Sequence, residues 1–226
     1  MIYVTGDVHG SLDIGKLNTK RFPQQKSLTK SDYVIACGDF GLVWDNRKSD
    51  LYWREWLSEK PFTTLWVDGN HENFDLLYQF PVTEKIGGKV REIAPAIFHL
   101  ERGQELTFDG KTCYVMGRAE SRDKAFRKEH ISWWKEEMPT IEEMWRGIDA
   151  LNAYDWSVDY VISHCAPRSV QIKINKQLFD NDPLVSFLEA VRLDLDFKKW
   201  FFGHYHVDKQ IGDRFWAIYN NIVAID

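Results

Sequence analysis

The chain opens with Ile2-Tyr3-Val4-Thr5-Gly6-Asp7-Val8-His9-Gly10, and this stretch decides the fold. A short apolar, β-branched run closed at once by Gly reads as a buried strand, and what leaves its carboxyl end here is polar. Asp7 and His9 are alternate residues of an extended segment, so both point to the same side and face one cavity. The arrangement recurs along the chain. Tyr33-Val34-Ile35-Ala36-Cys37 runs into Gly38-Asp39, and Thr64-Leu65-Trp66-Val67-Asp68 into Gly69-Asn70-His71-Glu72. Tyr160-Val161-Ile162-Ser163 runs into His164, and Trp200-Phe201-Phe202 into Gly203-His204-Tyr205-His206.

Between these runs lie segments with helical spacing at residues 51–57, 73–78, 141–151 and 183–193, the last opened by Asp182 as N-cap with Pro183 at the first helical position. Strands alternating with helices imply a layered α/β architecture with a buried sheet. Residues 215–219 and 222–224, around Asn220-Asn221, read as a terminal hairpin. Residues 118–147 break the rhythm. Arg118, Arg122, Lys124, Arg127 and Lys128 lie close together there, followed by Trp133-Trp134 and an acidic stretch. The segment reads as an insertion or lid over one end of the sheet, within a single domain covering residues 1–226.

Composition narrows the function. With 226 residues, 44% hydrophobic and 28% charged, the chain carries enough apolar surface for one sizeable core, and wholesale disorder is excluded. Twenty-nine Lys and Arg against 34 Asp and Glu give a net charge of -5, so no global field holds a polyanion and strong duplex nucleic-acid binding is not expected. Three cysteines without CxxC spacing suit reduced core thiols and a cytoplasmic location. No run approaches the ~18 apolar residues of a membrane span, and the first residues lack the pattern of an export signal.

In open α/β sheets the crevice beyond the carboxyl ends of the strands is where ligands bind, so the five loops are expected to converge. They bring carboxylate, amide and imidazole donors, a mixed set that suits Mn, Fe, Zn or Ni. Taken singly, a Gly-Asp marks a turn and a lone His is a hydrogen-bonded structural residue. Taken together, five of the seven histidines sit at strand exits, leaving only His99 and His130 outside, and this points to a metal site.

These five blocks resemble the calcineurin-like metallophosphoesterase superfamily, whose signature runs GDxH, GDxx, GNH[ED], a lone His and GHxH; here it spans residues 6–206. The resemblance implies a four-layer sandwich of two mixed β-sheets flanked by helices, with two divalent transition metal ions at one end, Mn foremost and Fe, Zn or Ni as alternatives. It also implies that Asp7, His9, Asp39 and His206 hold one ion, that Asp39, Asn70, His164 and His204 hold the other, and that Asp39 bridges them. His71 is then expected either to protonate the leaving oxygen or to act as a brace.

The serine/threonine protein phosphatase branch continues its second block as GDxxDRG and places Arg before the third. Here the text is Gly38-Asp39-Phe40-Gly41-Leu42, and Asp68 precedes Gly69, so both phosphate-binding arginines are missing. The expected substrate is therefore a small phosphomonoester or phosphodiester such as a nucleotide. A phosphoprotein, then a nucleic acid, then a non-catalytic scaffold follow as alternatives. Arg118, Arg122 and Lys124 are the candidate phosphate contacts, against the alternative that they form a solvated face. Trp133-Trp134 can stack on a base or close a hydrophobic lid.

Overall fold

Val4, Val34, Ile35, Leu65 and Trp66 are all fully buried, so neighbouring residues of one strand are covered on opposite faces. That pattern belongs to parallel strands sandwiched between layers. The computed structural model, which describes residues 1–121, 123–175 and 182–225, contains β1 (Ile2–Thr5), β2 (Tyr33–Ala36), β3 (Thr63–Trp66), β4 (Val82–Lys85), β5 (Gly88–Ala94), β6 (Ile97–Leu100) and β7 (Gln104–Phe108). It continues with β8 (Lys111–Met116), β9 (Ser157–Ser163), β10 (Asp196–Phe202), β11 (Lys209–Ile211), β12 (Phe215–Ala217) and β13 (Ile222–Ile225). One sheet has the order β13-β1-β2-β3-β6-β5-β4 and the other β11-β12-β10-β9-β8-β7. In each, four parallel strands form the centre and antiparallel strands close the edges.

Alternation along the strands builds four layers. Val4, Ile35, Leu65, Val115, Ile162 and Phe201 meet between the two sheets. The opposite face of the first sheet, with Tyr3, Val34 and Trp66, packs on Leu57 of α1 (Lys48–Ser58) and on Phe74 and Leu77 of α2 (Phe74–Leu77). The opposite face of the second, with Tyr114, Val161 and Trp200, packs on α3 (Ile141–Ala153), α4 (Arg168–Asn175) and α5 (Pro183–Asp194) through Leu151, Val170 and Leu188. Each fully buried aliphatic or Phe side chain contributes roughly 1.5–3 kcal/mol. The Asp182 carboxylate caps α5, accepting from the Leu184 and Val185 backbone N–H at 2.9 and 3.1 Å. Cys37, Cys113 and Cys165 are buried free thiols. Among the described residues, no helix is long and apolar enough to cross a membrane.

The terminal hairpin does not form. β12 lies in the second sheet beside β10, whereas β13 crosses to the first sheet and pairs antiparallel with β1. Asp208 turns the chain: its carboxylate accepts successive backbone N–H groups from Tyr219, Asn220 and Asn221 at 2.8, 3.1 and 3.0 Å. The turn is thereby held open between sheets, and each strand satisfies its backbone on a different neighbour.

Candidate metal centre

The parallel strands β1, β2, β3, β9 and β10 all release their exits at one end of the sandwich. Oxygen or nitrogen atoms of Asp7, His9, Asp39 and His206 come within 4.8 Å of one another there. His206 Nε2 lies 3.2 Å from Asp7 Oδ2, and His9 Nε2 lies 3.4 Å from Asp39 Oδ2. The other oxygen of Asp39 faces a second group: Oδ1 is 3.4 Å from His164 Nε2, which in turn lies 3.2 Å from Asn70 Oδ1. The His204 ring packs edge-on against His164 with centroids 5.0 Å apart.

The donors are aimed. His9 Nδ1 is held by Asp13 Oδ2 at 2.8 Å, and His164 Nδ1 by the Cys37 carbonyl at 2.7 Å. Each contact fixes the ring nitrogen that carries hydrogen and leaves the Nε2 lone pair for the cavity. The Asp7 carboxylate accepts the His204 backbone N–H at 2.9 and 3.1 Å, which ties the first loop to the fifth. His9, Asp39, His204 and His206 all adopt left-handed backbone, with φ of 46, 45, 66 and 50°. Such conformations cost about 1–3 kcal/mol each outside glycine and cluster where function over-determines them. Gly203 is required for contact: a Cβ there would collide with the Asp7 carboxylate.

The electrostatics call for cations. Burial disfavours the charged form of His9, yet Asp39, Asp13 and Asp7 override it and raise its pKa to about 9. Burial likewise opposes, and Asp39 and Asp7 outweigh it, in raising His164 to about 9. Asp39 is held well below the usual carboxylate range: burial works against ionisation, but His164 and His9 prevail. Protonated imidazoles set against ionised carboxylates in one volume suit divalent metals, which would take the place of the imidazole protons on binding.

His71 stands on the rim. Its backbone N–H donates to Asp39 Oδ1 at 2.7 Å, and it lines two cavities, of about 370 and 290 Å³. Burial lowers its pKa, and Arg127 adds to that effect against the pull of Asp39. The first cavity continues past His9 to Leu12, Trp44 and Asp45; the second continues past Asn70 to Ser121, Arg127 and Tyr205.

The expected phosphate contacts fare differently. Arg118 is buried, its guanidinium bonded to Asp68, to Tyr78 Oη and to the Met138 carbonyl, so it has no route to a substrate. Lys124 pairs with Glu137 at 2.9 Å and Glu120 at 3.3 Å. Arg122 lies outside the described residues. Among those described, Arg127 is the cation, histidines aside, that lines the second cavity; Nη1 and Nη2 lie 3.3 and 3.5 Å from the His71 ring nitrogens, and Asp123 anchors Nε at 2.8 Å. The sequence marks Arg127 as one of a basic cluster but nothing in it distinguishes this residue from Arg118.

Glu72, the last residue of the GNH[ED] block, and Trp134 take structural places. Glu72 is buried and ties two loops together, accepting from the Phe40, Gly41 and Gly69 backbone N–H at 2.6, 3.2 and 3.4 Å; burial and the Asp39 charge push its pKa up to about 8. Trp134 is buried, with its Nε1–H on Asp75 at 2.7 Å and its ring edge-on to Trp44, so it closes a hydrophobic contact and does not stack on a base.

Residues 1–208 match the family model described as calcineurin-like phosphoesterase. Lariat debranching enzyme A of Xenopus laevis is 27% identical over 238 residues, covering 91% of this chain and 42% of that protein. A Staphylococcus aureus protein assigned as a 5'-nucleotidase, solved in complex with alpha-ketoglutarate, superposes with a TM-score of 0.51 at 16% identity over 96% of this chain and 47% of that one. The chain thus spans less than half the length of these relatives.

Proposed function

The chain belongs to the calcineurin-like phosphoesterase family, and on that premise we propose that it hydrolyses a phosphoester with two divalent metal ions. One ion is held by Asp7, His9, Asp39 and His206, and the other by Asp39, Asn70, His164 and His204. The observation that carries this reading is the position of Asp39, whose two oxygens lie 3.4 Å from His9 and 3.4 Å from His164 and so face two separate groups of donors. Mn suits the carboxylate, amide and imidazole set, as do Fe, Zn and Ni. Bound there, the ions stabilise charge on the phosphoryl oxygens and lower the pKa of water toward neutrality.

The chain's own residues supply the remaining steps. Arg127 offers a fork of N–H donors to a phosphoryl oxygen beside His71, a pairing in which guanidinium geometry suits phosphate. His71, when protonated, hands a proton to the departing oxygen; burial and Arg127 lower its pKa, so this acid form is favoured toward the acid side of the imidazole range. The two cavities that His71 lines suit the groups flanking the phosphorus of a small phosphomonoester or phosphodiester such as a nucleotide. Residues 118–147 act in this reading as part of a single unit that walls one side of the site. Purified protein loaded with Mn and offered a generic monoester, a generic diester, nucleotides and a phosphopeptide tests the proposal. Hydrolysis of the small esters ahead of the peptide is expected; no hydrolysis of any phosphoester would contradict it.

A further inference from the structure

Asn70 differs from the other residues of the proposed ligand set because its side chain has two chemically opposite ends. Oδ1 can bind a cation and Nδ2 cannot, so something must fix which end faces the cavity. Oδ1 lies 3.2 Å from His164 Nε2 on the cavity side, while Nδ2 donates to Ser121 Oγ at 3.1 Å. Ser121 Oγ donates to Glu137 Oε2 at 2.7 Å, and the Ser121 backbone N–H donates to Oε1 at 3.2 Å. Lys124 Nζ closes the chain 2.9 Å from Oε1. Glu137 is fully buried, and Ser121 and Asn70 are nearly so, which leaves bulk water little access to replace a lost link.

We propose that Ser121 and Glu137 are positioning residues that lock the Asn70 amide with its oxygen toward the metal. The inference rests on reading Asn70 as a ligand of one of two ions. Polarity runs in one direction along the chain. A carboxylate paired with Lys124 only accepts, so the single hydroxyl proton of Ser121 goes to Glu137. The Ser121 oxygen is left with lone pairs, which Asn70 can meet only with its N–H group. The reversed amide would aim hydrogens at a cation and set Oδ1 against a hydroxyl whose proton is already engaged. Lys124, expected from sequence to touch substrate phosphate, serves here as counter-ion to the buried Glu137. The segment that interrupts the strand rhythm thereby reaches beneath the Gly69-Asn70-His71 loop and sets the chemistry of one metal site.

Isothermal titration of Mn²⁺ into the metal-stripped full chain tests this directly, with circular dichroism as a check of fold. Wild-type protein is expected to bind two ions. Ser121→Ala should weaken one site by about 10- to 100-fold, the range for losing a partner that orients a metal ligand, and leave the other within about twofold. Ser121→Thr keeps the hydroxyl and should restore both sites. Glu137→Gln is nearly isosteric and carries the test even if Ser121→Ala does not fold: its NH₂ can donate to Ser121, which frees the hydroxyl to hold a flipped Asn70, and the same single-site loss follows. Two wild-type sites that remain unaltered in Ser121→Ala and Glu137→Gln, or that weaken equally, would overturn the relay alone. Wild-type protein that binds no Mn²⁺ would overturn the relay together with the two-metal reading.

Discussion

Arg118 is tied to Asp68 twice, through its guanidinium Nε at 3.1 Å from Oδ2 and through its backbone N–H at 2.6 Å from the Asp68 carbonyl. Asp68 immediately precedes the Gly69-Asn70-His71 loop and also holds Arg102 at 2.9 Å and His99 at 3.3 Å. Burial opposes its ionisation, and Arg102 and His99 keep its pKa below the usual carboxylate range. The strand end that feeds the Gly69-Asn70-His71 loop is thus fixed by a buried ionic cluster.

Arg118→Met should therefore act on stability. Removing one partner of a buried pair typically costs about 3–5 kcal/mol, and since Arg102 remains on Asp68 the lower end is expected. Urea unfolding reads this loss. A variant that kept full stability but raised KM would return Arg118 to the substrate.

Arg127→Ala should leave both metals bound and lower kcat/KM. Loss of a charge-assisted hydrogen bond to phosphate costs on the order of 1.5–3 kcal/mol, or roughly ten- to 150-fold. Steady-state kinetics with elemental analysis of the same sample checks both halves; unchanged kinetics would make the His71 contact purely structural.

His71→Asn should slow an alkyl or nucleoside phosphate far more than p-nitrophenyl phosphate. A basic leaving group cannot depart as an anion, whereas p-nitrophenolate leaves unaided, and general acid catalysis is typically worth about a hundred- to ten-thousand-fold. Equal losses across a leaving-group series, with metal content intact, would make His71 a brace.

The strands β1, β2, β3, β9 and β10 and the donors that follow them were legible because two-sided burial writes each of these parallel strands as an apolar run, and each of these runs is followed at once by a carboxylate, amide or imidazole. The edge strand β4 carries no such run: all four of its residues are exposed. The course of β13 depends on the Asp208 carboxylate capturing three distant N–H groups, a contact with no local signal. Arg118 and Arg127 read alike as cations, and only burial against Asp68 or placement beside His71 separates them. Ser121 and Glu137 are ordinary polar residues in sequence, and their role exists only once the chain folds back under Asn70.

Glu105 gives a pH signature away from the site. Its carboxyl is buried with neither oxygen hydrogen-bonded, and burial, with Asp159 adding, pushes its pKa from 4.5 up to about 7. Between those values the folded chain binds more protons than the unfolded one, so stability should fall as pH rises through the window. Glu105→Gln should flatten this dependence in urea titrations run from pH 4.5 to 7. An unchanged slope would contradict the assignment.

In the proposed reaction two ions act together through Asp39. Chelator-stripped protein titrated with Mn²⁺, with bound metal and hydrolysis of bis-p-nitrophenyl phosphate followed in the same samples, measures this most directly. The expected result is no turnover when stripped and turnover that rises as the second ion binds, with Asp39→Asn holding no more than one ion and losing the rate. Stripped protein that keeps its rate, or Asp39→Asn that binds two ions and turns over normally, would contradict it.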